Sequence, residues 1–317
     1  MEGWGNIVVR FASYADLMLL FGLPLFGLYG VKGTAADAHA AFGYRRLLSW
    51  LAGVGLVVSG AGMLILAVTM SGVTEIGELE RHVFGMIITG TNVGIAWVVK
   101  IAALVGILLC AGFYRRLPTA SLVLASLFAA VGLSTLVWSG HGAMDTGARG
   151  SIHLAADTLH LLGAGAWLGA LVAFLLLLLR PVQGQGRDDA YRHLLLLRQA
   201  VTGFSSVGTL IVAVLIVTGI VNYLLIVGPS LEGMASSPYG VLLLAKLGLF
   251  GTMLALAAAN RFRLGPLLEQ ARSSTEIGRA KRALCNSLAI ETTAMMLILL
   301  AVAWLGTLSP PGNTRPY

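Results

Sequence analysis

Eight predominantly apolar runs follow one another along the chain, at 7–30, 47–70, 92–112, 119–140, 151–179, 203–227, 239–260 and 286–308. Each is about 20 residues or longer, the length a helix needs to cross roughly 30 Å of hydrocarbon. The segment between the second and third runs, SGVTEIGELERHVFGMIITGT (71–91), is too polar to span and predicts a short interfacial helix. The remaining loops leave no room for a folded soluble domain. No internal repeat stands out, so inverted-repeat logic does not apply. The pattern predicts an all-α, polytopic membrane protein of about eight transmembrane helices, forming one transmembrane domain over 1–317.

Composition excludes the soluble alternative. Of 317 residues, 57% are hydrophobic and 11% charged, with a mean hydropathy of +0.86; a soluble domain of this size needs far more charge on its surface. The start, MEGWGN, lacks a basic n-region and the first apolar run has full span length, so no cleaved signal peptide is expected.

The net charge of +7 calls for no nucleic acid. Loops 31–46, 113–118, 180–200 and 261–285, all on one side, carry 15 of the 21 Lys and Arg, which is the positive-inside signature. Both termini are then expected in the periplasm, and the basic side should attract anionic lipid. Cys110 and Cys285 fall near the cytoplasmic ends of their helices, where thiols stay reduced. They read as small buried side chains or as an exit site for a soft metal.

Ionisable side chains inside spans cost about 2.5–3.5 kcal/mol each on insertion, so each is a functional candidate. At 1.5 Å rise per residue, Asp16, Lys100, Asp157, Lys246 and His160 all fall roughly 9–14 Å below the outer ends of their helices. This layer reads as ion pairs that hold helices together, as the wall of an outward vestibule, or as both. Glu291 lies in the inner half with no opposite charge at its depth. It is either a neutral acid in the core or a relay for a cation.

The stretch HLAADTLH (153–160) opens one of the most apolar spans. His153, Asp157 and His160 recur at i, i+4 and i+7, within an arc of about 60° on one helix face. The two histidines are about 10 Å apart along the axis, too far to share one ion, whereas Asp157 can pair with either. The preceding loop, VWSGHGAMDTGARG, brings His141, Met144 and Asp145 to the same membrane face. Imidazole and carboxylate suit Cu(II), thioether suits Cu(I), and zinc could use the same histidines. The structural alternative is a set of helix-packing hydrogen bonds.

With these residues goes a wider likeness. The runs SGHGAMD, HLAADTLHLLGAGAWLGALVAFLL, LRQAVTGFSSVGTLIVAVLIVTGIVNYL, SPYGVLLLAKLGLFGTMLALAAANRFRL and CNSLAIETTAMMLILLAVAWLGTLSPP resemble the copper resistance protein D (CopD) family of bacterial inner-membrane proteins. The likeness is good over roughly 119–311 and loose over the first three helices. Its most specific markers are Asp157, His160, Trp167 and Gly169, then Tyr239, Lys246, Asn260, Arg261 and Glu291.

The resemblance implies an eight-helix protein of the bacterial inner membrane that moves copper, usually towards the cytoplasm, beside a small periplasmic copper-binding partner of the CopC type. The family's histidines around the fourth and fifth helices match His141, His153 and His160. Two departures stand out: the usual Gly-His-Ala reads Gly-His-Gly-Ala here, and no copper-binding domain is fused.

The expected function is copper import through an outward-facing His/Asp/Met site of His141, His153, Asp157, His160 and Met144. Asp16, Lys100, Lys246 and Glu291 would form the path or its charge layer. No ATPase or other energy-coupling motif is seen, so no enzymatic activity is expected. A b-type haem cytochrome or reductase is one alternative, since membrane histidines also hold haem. A non-transporting copper-binding sensor or assembly factor is another. Glu75, Glu78, Glu80 and His82 would then dock its partner, or they are a solvated face.

Overall fold

A computed structural model describes residues 2–30, 42–72, 77, 79–139, 147–180, 187–229 and 234–308. The expected ligands His141 and Met144, with Asp145, Glu75 and Glu78, lie outside the described residues.

The described chain is helical and contains no strand. Its elements are α1 (Glu2–Tyr29), α2 (Tyr44–Ser71), α3 (Arg81–Gly90), α4 (Asn92–Phe113), α5 (Pro118–Ser134), α6 (Gly147–Leu179), α7 (Arg187–Ile226), α8 (Pro238–Ala259), α9 (Gly265–Gln270) and α10 (Ser274–Leu305). Eight of these helical stretches are long and apolar enough to cross a membrane. Helices suit that setting because each satisfies its own backbone groups where no water is present to do so. The polar segment between the second and third runs contains the short helix α3, which packs on α2 and α4 around Met63, Ala67 and Ile87.

Several boundaries differ from those read off hydropathy. The run at 203–227 belongs to a helix that starts at Arg187, and the run at 286–308 to one that starts at Ser274. Hydropathy does not register these polar extensions. The start of α10 is instead fixed by capping: the Ser273 hydroxyl accepts from Glu276 N at 3.2 Å, and the Glu276 carboxylate accepts from Ser273 N at 3.1 Å. The run at 119–140 tightens after Ser134 into a 3₁₀ turn, Thr135–Ser139. The run at 239–260 passes into a π turn, Asn260–Leu264, and ends only with α9.

At the centre, α1 and α6 cross so closely that glycine is required. A Cβ at Gly169 would collide with the backbone of Gly22, and one at Gly22 with the carbonyl of Gly165. Small residues at such crossings let helices pack where the surrounding lipid supplies no hydrophobic drive. Around this pair, α5, α2 and α10 pack on α1, while α7 and α10 pack on α6. Large apolar side chains turn outward elsewhere, with Val57 74% and Leu210 65% exposed, as lipid-facing positions require.

Candidate functional site

The stripe on α6 is the axis of the site. His153 is buried and its Nε2 lies 3.7 Å from the Asp157 carboxylate, whose side chain is 25% exposed. Three further groups lie within electrostatic reach of Asp157: Lys246 and Tyr239 of α8, and Tyr14 of α1. Tyr14 is hydrogen-bonded to Arg10 one turn before it. The Arg10 guanidinium packs against Gly306 at the C-terminal end of α10, where a helix dipole favours positive charge. Asp157 of α6 thus has the Lys246 ammonium and the Tyr239 hydroxyl of α8 and the Tyr14 hydroxyl of α1 within electrostatic reach.

His160 has a defined orientation. Its Nδ1 lies 2.9 Å from the Thr218 hydroxyl, which donates its own proton to the Val214 carbonyl at 2.6 Å. A hydroxyl has one proton to give, so Nδ1–H is the donor in this pair and Nε2 keeps its lone pair. That is the arrangement in which an outer-shell partner orients an imidazole for metal binding. Lys246 is also within electrostatic reach of His160, which places its ammonium near both Asp157 and His160.

The stripe continues along α6. Trp167 stands two turns beyond His160 on the same face, so His153, Asp157, His160 and Trp167 share an arc of about 80°. The Trp167 indole donates to Glu291 Oε1 at 2.7 Å, and the Asn260 amide donates to Glu291 Oε2 at 3.0 Å. Glu291, 1% exposed, has a donor on each oxygen without any cation. Asn260 opens the π turn, and such turns frequently re-aim side chains at functional sites. The next residue, Arg261, is tied by hydrogen bonds to the Ser205 carbonyl and the Thr209 hydroxyl of α7.

Asp16 and Lys100 do not join this cluster. Asp16 is 5% exposed, with both oxygens lacking a hydrogen-bond partner among the described residues. It faces Gly55 of α2, whose Cβ, if present, would lie 2.5 Å from Oδ2. Of the layer read as ion pairs, no hydrogen bond or ion pair joins Asp16 to Lys100 among the described residues, whereas Lys246 lies within electrostatic reach of Asp157.

Among the described residues no group of three or more His, Cys, Asp and Glu is placed to hold a metal. The stripe offers half-sites, each needing further donors. Reading the sequence alone missed Arg10, Tyr14 and Thr218. Only the Arg10–Tyr14 spacing of one turn could have suggested a pair. Trp167, Tyr239 and Asn260 were visible as markers of the resemblance, without a contact assigned to them.

Comparison with known proteins adds the family context. The copper resistance protein D-like N-terminal domain matches residues 1–151, and copper resistance protein D matches residues 198–305. Copper resistance protein D of Pseudomonas syringae pv. tomato is 47% identical over 310 residues, covering 98% of both chains. Inner membrane protein YebZ of Escherichia coli (strain K12) is 27% identical over 307 residues, covering 96% of this chain and 98% of that one. No solved structure matches the chain.

Proposed function

The chain belongs to the copper resistance protein D family, a multi-pass protein of the inner membrane with a copper-related function, and on that premise we propose that it imports copper from periplasm to cytoplasm. The reading rests on one observation: a single face of α6 carries His153, Asp157 and His160 towards its N-terminal end and, farther along, Trp167 bonded to Glu291. Copper is the cargo. It exchanges with Lys246 as the counter-charge of Asp157, taking imidazole from His153 or from the Nε2 of His160. His141 and Met144 complete the donor set from the adjoining loop, the thioether serving Cu(I) and the imidazoles and carboxylate Cu(II). A small periplasmic copper-binding protein of the CopC type delivers the ion.

The Lys246 ammonium within reach of Asp157 would repel a free cation, so loading requires Lys246 to release Asp157. That makes Lys246 a gate. Past this layer, Glu291 receives the ion in exchange for its two neutral hydrogen bonds. A membrane potential negative inside favours this direction by about 2.3 kcal/mol per charge per 100 mV.

Copper stoichiometry and liposome flux test the reading on purified protein loaded separately with Cu(I) and Cu(II). The His153→Ala/His160→Ala variant is expected to lose bound copper and at least about tenfold in flux, as weakened metal shells do. Wild-type flux in that variant would refute the path. Full transport by Lys246→Met would refute the gate, and a Soret band in unloaded protein would bring haem forward instead.

A further inference from the structure

At the basic end of the bundle an open groove of about 450 Å³ runs between α2 and α4, lined by Arg45, Leu108, Leu109, Gly112, Phe113, Arg115 and Arg116. Its arginines come from two places in the chain. Arg45 stands in the first turn of α2, and Arg115 and Arg116 form the turn that closes α4, pinned by Arg116 N to the Phe113 carbonyl at 2.9 Å. All three side chains are exposed, and no hydrogen bond or ion pair engages their guanidinium groups among the described residues. The opposite wall is apolar and faces outward, with Leu109 59% and Phe113 55% exposed and open space beside Gly112.

The start of α2 adds to the same field. Its cap, Gly43 at φ 56°, offers no side-chain acceptor, and its first turn contains no acidic residue. The neighbouring basic segment is built differently: α10 caps itself with Ser273 and Glu276. With no side-chain cap among the described residues, this 28-residue helix leaves donor N–H groups and the positive end of its dipole for an external anion.

We propose that this groove is a binding site for an anionic phospholipid, with the phosphate on Arg45, Arg115 and Arg116 and an acyl chain along Leu108, Leu109 and Gly112. A bilayer supplies both halves of such a ligand in one molecule, and the groove pairs a cationic rim with an apolar wall in the matching order. Guanidinium groups bind phosphate oxygens in bidentate fashion, which distinguishes them from a diffuse basic surface. A zwitterionic lipid fits less well because its own ammonium would enter the arginine cluster. The proposal is independent of copper.

Native mass spectrometry of the detergent-purified full chain tests it, with phosphatidylglycerol and phosphatidylcholine of identical acyl chains as probes. Wild type is expected to retain phosphatidylglycerol and release phosphatidylcholine. The R45Q/R115Q/R116Q variant should lose phosphatidylglycerol retention by about a hundredfold, or about fivefold per arginine. An R263Q/R272Q/R282Q variant removes the same charge from exposed positions on the same side and should retain the lipid. Equal loss in both triple variants, or equal retention of the two lipids by wild type, would overturn the site. If the first triple variant does not fold, Arg45→Gln and Arg116→Gln singly carry the test, and wild-type retention in both would overturn it.

Discussion

Two carboxylic acids are buried inside the helical bundle, and they are treated in opposite ways. Glu291 on α10 is 1% exposed and accepts one hydrogen bond on each oxygen, from Trp167 and Asn260. Asp16 on α1 is 5% exposed and accepts none among the described residues, its Oδ2 facing the bare backbone of Gly55. Burial is nearly equal, so burial alone does not tell a working polar site from a tolerated one. The donors do. Two elements contribute a donor to Glu291, α6 and the π turn that follows α8, and that turn interrupts regular helix where Asn260 is placed. Among the described residues no donor is arranged around Asp16.

The largest effect should come from removing the satisfied acid. Glu291→Ala leaves the Trp167 N–H and the Asn260 amide as buried donors without acceptors and opens a cavity. At about 1–3 kcal/mol per orphaned group, the variant should lose roughly 3–5 kcal/mol. Glu291→Gln keeps one carbonyl but turns its own N–H₂ towards the second donor, and should lose about half as much. Thermal unfolding in mild detergent reads both. A Glu291→Ala melting curve superimposable on wild type would erase the contrast with Asp16.

Gly55 offers a way into the unsatisfied site. An added Cβ would stand 2.5 Å from Asp16 Oδ2 and 2.9 Å from Leu104 Cδ2, so Gly55→Ala should overpack the contact and cost about 1–3 kcal/mol. Shortening Asp16 to Ala should relieve most of that clash. The double variant is then expected to be more stable than the sum of the singles by about 0.5–2 kcal/mol. Strict additivity would mean that Asp16 does not rest on Gly55.

The contrast also marks where sequence reasoning stops. The eight spans were readable because bilayer thickness and helical rise set a length that apolar runs must meet, and the α3 helix because its segment is too polar to cross. The His153, Asp157 and His160 stripe was readable because three residues on one helix share a face whatever surrounds them. The starts of α7 and α10 were not, since their first turns are polar helix outside any apolar run. Nor was the Trp167–Glu291–Asn260 group, which joins residues far apart in sequence through neutral donors that carry no charge to match by depth. Depth matching put Asp16, Lys100, Asp157 and Lys246 in one layer without saying which side chains meet, and only Lys246 and Asp157 come within electrostatic reach of each other among the described residues. Equal depth does not fix the azimuth of a side chain, and Asp16 faces α2.

The smallest expected effect is the most discriminating. Asp16→Asn preserves shape and takes no acceptor away from any donor among the described residues, so stability should change by no more than about 0.5 kcal/mol, or rise. The same substitution applied to Glu291 removes an acceptor from a bonded donor and must cost more. If Asp16→Asn instead destabilises the protein as much as Glu291→Gln, an ordered water or ion satisfies Asp16, and the two acids are alike after all. If stability holds but liposome copper flux falls, the isolation of Asp16 belongs to transport. A carboxyl without protein partners is then kept against Gly55 because the cargo, and not a neighbouring side chain, is what it meets.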